Sequence, residues 1–238
     1  MTALILIPTT GAQVLDDAVR SAIGQTFPET DVWVVIDGPE YASAALAILS
    51  SYPQVKHCIL PKNTGKNGWY GHRIYAAFSF LFDHDYIFYL DQDNWFDPDH
   101  VASMVSFCMN YKLDWCHSLR KIFDQKGQYI CDDDCESLGK WPVYFNDHVH
   151  LVDTSTYCIR KDVITKMAAA WYSGWGGDRT FFANIKKYYD KFACTGFATV
   201  GYRLDGNPRS VTADFFITGN QVMCQRYPNG FPWRTPLL

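Results

Sequence analysis

Asp91 and Asp93 stand one residue apart in the stretch Tyr86-Ile-Phe-Tyr-Leu-Asp-Gln-Asp-Asn-Trp-Phe-Asp-Pro98. They follow an apolar run that reads as a buried strand. Two carboxylates at the end of such a strand are costly unless a cation or hydrogen-bond donors answer them. The plainer reading is turn chemistry, because aspartate caps turns and helices and Asp97-Pro98 reads as a helix start. A further acid, Asp178, lies in Gly174-Trp-Gly-Gly-Asp-Arg179. The glycines before it permit close approach of a ligand or of backbone, and a helix over 178–189 would fix its position. That helix N-terminus favours the ionised form, so Asp178 is either a helix cap or a carboxylate poised as a base.

The elements that would hold these acids alternate. Apolar runs at 4–7, 32–36, 55–60 and 86–90 read as strands, and helical patterns follow each, at 12–23, 41–49, 69–82 and 100–111. In the first helix Val14, Leu15, Ala18, Val19, Ala22 and Ile23 share one face. Near-continuous apolar strands mean that both sheet faces are covered, which predicts an α/β fold with a doubly wound, mostly parallel sheet. Beyond residue 99 the pattern predicts a fifth strand at 115–119 and a polar hairpin or ordered loop at 120–145. A strand at 149–159, helices at 161–171 and 178–189, and short strands from residue 193 complete it. His148 and His150 would face one side of their strand, and the acidic run 132–136 reads as a solvated loop. No linker divides the chain, so a single domain is expected, with a ligand-binding half (1–98) and a second half (99–238).

In an open parallel sheet, ligands bind beyond the carboxyl ends of the strands. Here those ends are Pro8-Thr9-Thr10, Asp37-Gly38-Pro39, Asn63-Thr-Gly-Lys66 and Asp91-Gln-Asp93, which together describe a polar pocket. A carboxylate pair near Asn63, Lys66 and Arg73 suits a metal-bound diphosphate, with Mn²⁺ or Mg²⁺ as the hard cation. No glycine-rich phosphate cradle is present, which disfavours dinucleotide enzymes and P-loop NTPases. Trp175, beside Asp178, is the aromatic residue expected to meet the ligand.

The chain has 238 residues, 48% of them hydrophobic, and a net charge of −4 without a basic block. Nucleic acid and anionic membranes are therefore not expected partners. The apolar runs are too short to cross a bilayer, so no transmembrane segment is expected, and the N-terminal run reads as a strand and not a signal peptide. Eight irregularly spaced cysteines read as free buried thiols in a cytoplasmic protein. Cys131 and Cys135 lack a second pair at zinc spacing.

Five elements in order resemble the signature of family 2 glycosyltransferases with the GT-A fold. They are Pro8-Thr9 after a strand, Ser21-Ala-Ile-Gly-Gln-Thr-Phe-Pro28, Val34-Val-Ile-Asp-Gly38, Asn63-x-Gly65 with Arg73, and Asp91-x-Asp93. The likeness resumes at Val152-Asp-Thr-Ser-Thr-Tyr-Cys-Ile-Arg160 and at Gly174–Arg179, which is similar to the acidic motif carrying the base in inverting members. The resemblance implies sugar transfer from a nucleotide-diphosphate donor to a hydroxyl acceptor on a glycan, lipid-linked or protein-linked molecule. It implies that Thr9 and Asp37 contact the base, Arg73 the nucleotide, and Asp91 the ribose or a metal-bound water. Asp93 would ligate the divalent metal and Asp178 would serve as catalytic base. Gly177-Asp178 departs from the common Glu-Asp pair, and Asp37-Gly-Pro from the usual acidic continuation. The Gln-x-x-Arg-Trp motif of processive synthases is absent, which implies a non-processive enzyme. The residues leave two rivals open: a nucleotidyltransferase, although Pro8-Thr-Thr-Gly11 lacks its Arg/Lys-bearing glycine loop, and a non-catalytic binding module.

Overall fold

The computed structural model describes residues 1–206 and 210–235. The first half follows the expected alternation: β1 (Ala3–Thr9), α1 (Leu15–Ile23), β2 (Thr30–Ile36), α2 (Ala42–Leu49), β3 (Lys56–Ile59), α3 (His72–Phe78), β4 (Tyr86–Tyr89), the short β5 (Trp95–Phe96) and α4 (His100–Asn110). Alternate residues of β1 enter opposite cores. Ala3, Ile5 and Ile7 pack with Leu15, Ala18 and Val19 of α1. Leu4 and Leu6 pack with Ile74, Tyr75 and Phe78 of α3. Burial on both faces is why this strand carries no polar alternation.

Strands run in the order β3-β2-β1-β4, all parallel. The chain winds one way from β1 to β2 and β3, and the other way to β4, so β1 lies at the topological switch point. Pairing of β1 with β2 continues to Thr9↔Ile36, but pairing with β4 stops at Leu6↔Tyr89. Pro8, which has no N–H to give, sits just beyond that last β4 pair. The carboxyl ends of β1 and β4 therefore part, and a crevice opens between residues 8–10 and 91–94.

The second half extends the same sheet with mixed polarity. β6 (Trp115–Phe123) hairpins into β7 (Tyr129–Asp132); β8 (Tyr157–Arg160), α5 (Lys161–Met167), α6 (Gly177–Tyr188), β9 (Phe192–Arg203) and α7 (Ala213–Arg226) follow. β8 pairs antiparallel with β4 and β6, while β9 runs parallel to β6. The sheet holds nine strands among the described residues.

Four sequence expectations need correction here. The strand expected over 149–159 is confined to Tyr157–Arg160, and His148 and His150 lie in irregular chain. The third helix is only His72–Phe78, preceded by turns with Asn67 and Tyr70 in the left-handed region. The acidic run is no solvated loop: Asp133 is 0% and Glu136 4% exposed, for reasons given below. From residue 193 the chain forms one twelve-residue strand and a fourteen-residue helix instead of short strands. All eight cysteines are free, and among the described residues no helix is long and apolar enough to cross a membrane.

Candidate active site

A cleft of about 720 Å³ occupies the crevice at the carboxyl ends of β1, β2 and β4. Pro8 and Thr9 form its floor beside Gln92. Thr9 Oγ1 donates to Gln92 Oε1 at 2.7 Å, Thr10 N donates to the same oxygen at 3.1 Å, and Gln92 Nε2 donates to Thr10 Oγ1 at 3.1 Å. Gln92 thus ties together the two strand ends that the sheet no longer pairs. It was invisible in sequence as anything but the spacer between two acids.

Asp37 closes β2 and holds the next loop. Its Oδ1 accepts from Thr64 N and Thr64 Oγ1, both at 2.7 Å, and its Oδ2 from Gly65 N at 2.8 Å. Asp37 is 4% exposed and still lines the cleft. Asn63 is similarly engaged, donating Nδ2 to Tyr41 Oη at 2.9 Å and accepting from Lys66 N at 3.0 Å. Lys66 reaches the cleft wall with an exposed ammonium. Arg73 does not line the cleft. Its guanidinium lies 3.7 Å from the Trp69 ring centroid and 5.5 Å from that of Tyr172, and it donates to Thr64 O at 3.2 Å. Two aromatic faces attract the cation and turn it into a brace behind the loop. His72 lines the wall there instead.

Besides Asp37, four carboxylates line the cleft: Asp91, Asp93, Asp153 and Asp178. Burial pushes the Asp91 carboxyl up to about 7, and the charges of Asp93, Asp153 and Asp178 add to this, against a hydrogen bond from Tyr75 Oη at 2.6 Å. Asp93 is also raised, first by burial and then by Asp153 and Asp205, while Arg203 opposes. Arg203 donates Nε to the Asp93 carbonyl at 3.3 Å and Nη2 to Asp17 at 2.6 Å. Among the described residues neither Asp91 nor Asp93 has a lysine or arginine in ion-pair contact. Like charges held this close leave a demand for a cation.

The sign of that demand can be measured. An unfolded aspartate ionises near 3.8 and Asp91 near 7. Between those values the folded chain keeps a proton that the unfolded chain has released, so stability falls as pH rises from about 4 to about 7 and is level above. Without divalent cations, the stability difference between wild type and Asp91→Asn should therefore move against wild type over that window. A difference that stays flat from pH 4 to 8 would contradict this placement of Asp91.

Asp178 comes from the second half, in the first turn of α6. Gly176, at φ 78°, turns the chain into the helix. A Cβ on Gly177 would lie 2.4 Å from His72 Nδ1, so only glycine lets α6 seat against His72. That ring is itself in hydrogen-bond contact with Ser173 O at 2.9 Å. Asp178 does not cap the helix in the usual way: its Oδ1 accepts from the adjacent Arg179 N at 2.8 Å, and its side chain lines the cleft. Trp175 stands at the mouth, 78% exposed.

Sequence reasoning missed Asp153 and its support. Asp153 Oδ2 accepts from Arg120 Nη1 at 2.5 Å and Oδ1 from Ser155 N at 3.0 Å. Arg120, 2% exposed, also donates Nε to Asp133 at 2.8 Å and Nη2 to Glu136 at 2.5 Å. Asp133 further accepts from the amides of Cys135, Glu136 and Ser137. Burial would raise it, but Arg120 and those amides hold it below the usual range. Glu136, pushed by burial up to about 7, lies 3.7 Å from Arg179 Nη2. The acidic run thus connects the floor of the cleft to the start of α6. The signal was a lone arginine in an apolar strand, Trp115-Cys-His-Ser-Leu-Arg120, which demands buried acids.

Residues 4–130, more than half of the chain, match the family model for glycosyl transferase family 2. The chain belongs to that family. No curated protein matches it by sequence. Among solved structures, S. aureus TarS residues 1–349 in complex with UDP-GlcNAc superposes with a TM-score of 0.68 at 15% identity, covering 97% of this chain and 67% of that one. A second structure of the same TarS segment gives 0.63 at 14% identity, with 85% and 60% covered. A further TarS structure gives 0.62 at 13% identity and covers all of this chain, which spans 46% of its length. At these identities the likeness establishes a shared GT-A fold.

Proposed function

We propose that this family member is a non-processive, inverting glycosyltransferase that moves a sugar from a nucleoside-diphosphate donor to an acceptor hydroxyl. The observation that carries the reading is the entry of Asp178, on a helix of the second half, into the cleft where Asp91 and Asp93 end β4. A UDP-GlcNAc complex of the TarS fold supports the donor class.

The donor's base and ribose fit the wall made by Thr9, Asp37, Asn63 and Asp91. Asp37 has three of its roughly four lone-pair sites taken, so it shapes the loop and offers the remaining one. Lys66 and Arg179 are the cationic side chains of the lining, and they can attract the diphosphate. The residues present also fit a divalent cation, because the raised Asp91 and Asp93 lack cationic partners; Asp93 would hold it, as Mn²⁺ or Mg²⁺. When bound, such an ion stabilises the negative charge that develops on the diphosphate.

Asp178 takes the proton from the acceptor hydroxyl as that oxygen bonds to the anomeric carbon. The bond from that carbon to the diphosphate breaks on the opposite face, through an oxocarbenium-like state. The single displacement inverts the anomeric centre. Trp175, exposed beside Asp178, offers a ring face to the sugar or the acceptor.

Thermal denaturation with UDP, GDP, ADP, CDP and dTDP, each with Mn²⁺ or with a chelator, tests the donor class. One base should stabilise the fold, and only with the metal; at a hundredfold excess over Kd the gain is about 2.7 kcal/mol. No response to any nucleotide would overturn the reading.

A further inference from the structure

Away from the cleft, three thiols converge beneath α4. Cys116 of β6 and Cys158 of β8 are direct cross-strand partners in the antiparallel pairing, so both point to the same face of the sheet. Cys108, in the last turn of α4, packs down onto them. Their three Sγ atoms all lie within 4.8 Å of one another, and each residue is 0–1% exposed.

Such closeness could be mere packing, since a free cysteine behaves as a small hydrophobe. The geometry goes further than packing requires. Metal–thiolate bonds of about 2.3 Å place the sulfurs of a planar three-thiolate site about 4.0 Å apart, which these thiols reach by a small contraction. No fourth histidine, cysteine or carboxylate joins the group among the described residues. Zinc, which takes four ligands in structural sites, is therefore poorly served. A soft ion content with three sulfurs is well served, because thiolates select such ions.

We propose that Cys108, Cys116 and Cys158 form a buried three-thiolate site for one soft monovalent ion of the Cu(I) type. Loading replaces three S–H bonds by three metal–sulfur bonds and releases three protons, with no change of oxidation state. In the unloaded site the Cys108 thiol donates to Leu113 O at 3.6 Å and the Cys116 thiol to Met104 O at 3.5 Å, so loading exchanges two weak hydrogen bonds for metal–sulfur bonds. The turn between α4 and β6, with Lys112 in the left-handed region at φ 52°, lies over the Cys108 side, and burial denies solvent direct access to the three sulfurs. Loading is accordingly slow in the native protein and fast during folding.

Cu(I) supplied as a coloured bicinchoninate complex, under anaerobic reducing conditions, tests the site on the full chain. The protein should withdraw one more equivalent than either Cys116→Ala or Cys158→Ala, and its thermal midpoint should rise by several degrees with that equivalent. Cys131→Ser, outside the cluster, should keep both effects. If the alanine variants do not fold, Cys108→Ser serves in their place. X-ray absorption should show three sulfur neighbours at about 2.3 Å. Equal uptake by the wild type and the cluster variants, also after refolding with the ion present, would overturn the proposal.

Discussion

Asp178→Asn should lower the rate of sugar transfer by about 10²–10⁴-fold while donor affinity stays within a factor of about three. Asparagine keeps the shape of the side chain and can accept from Arg179 N, so the first turn of α6 stays as it is. What it loses is the ability to take a proton. The neighbouring acids offer poor replacements. Asp153 is committed to Arg120 and the Ser155 amide, and Asp91 accepts from Tyr75. Transfer kinetics together with donor titration separate the two possible roles. Loss of donor binding would make Asp178 a structural residue, and transfer within tenfold of wild type would place the base elsewhere.

Arg120→Met should cost about 3–5 kcal/mol of stability, because removing one partner of a buried ion cluster leaves uncompensated charge behind. Here one guanidinium serves Asp133, Glu136 and Asp153 together. Burial alone would lower its pKa, but those three carboxylates outweigh it and hold the guanidinium charged. Without it the acids must take up protons in the folded state. Unfolding of the variant should therefore show a stability that improves, relative to wild type, as pH falls from about 8 toward 5. Denaturant midpoints at constant slope read this directly. A loss under about 1 kcal/mol, independent of pH, would mean that water reaches the cluster and screens it. Transfer should fall as well, since Glu136 links Arg120 to Arg179 next to the base.

The parallel half was legible because its signals are local. Apolar strands, glycine-punctuated turns and one-faced helices such as α1 declare themselves in short windows, and the crevice follows from the order of the strands. The second half was hard to read for identifiable reasons. In β9 the run Phe192-Ala-Cys-Thr-Gly-Phe-Ala-Thr-Val-Gly-Tyr-Arg203 carries glycines that look like turns. Gly201 is instead small so that the Trp95 ring can lie over it: a Cβ there would sit 2.1 Å from Trp95 Cε2. In α7 only Phe216, Gly219 and Met223 are buried, and Gly219 admits Cys135 and Tyr144 against the helix. A stripe with glycine at its centre carries little hydrophobic signal.

The acidic run was misread for the opposite reason. Four acids in five residues look solvated until their partners, Arg120, Trp233 and Arg234, arrive from distant parts of the chain. Among the site residues, Asp91, Asp93 and Asp178 were placed by motif and do meet in one cleft. Arg73 was placed by motif too, but Trp69 and Tyr172 capture it, an arrangement that sequence spacing does not reveal. The remaining supports, Gln92, His72 and Asp153, act through tertiary contacts alone.

On the proposed function, the carboxylates at the end of β4 bind a nucleoside diphosphate through a divalent cation. Calorimetric titration of UDP into wild type and Asp93→Asn, each with Mn²⁺ and with a chelator, tests it most directly. Binding to wild type should depend on Mn²⁺, and Asp93→Asn should bind at least tenfold more weakly, at about 1.4 kcal/mol per decade. Equal affinity in all four titrations would contradict it.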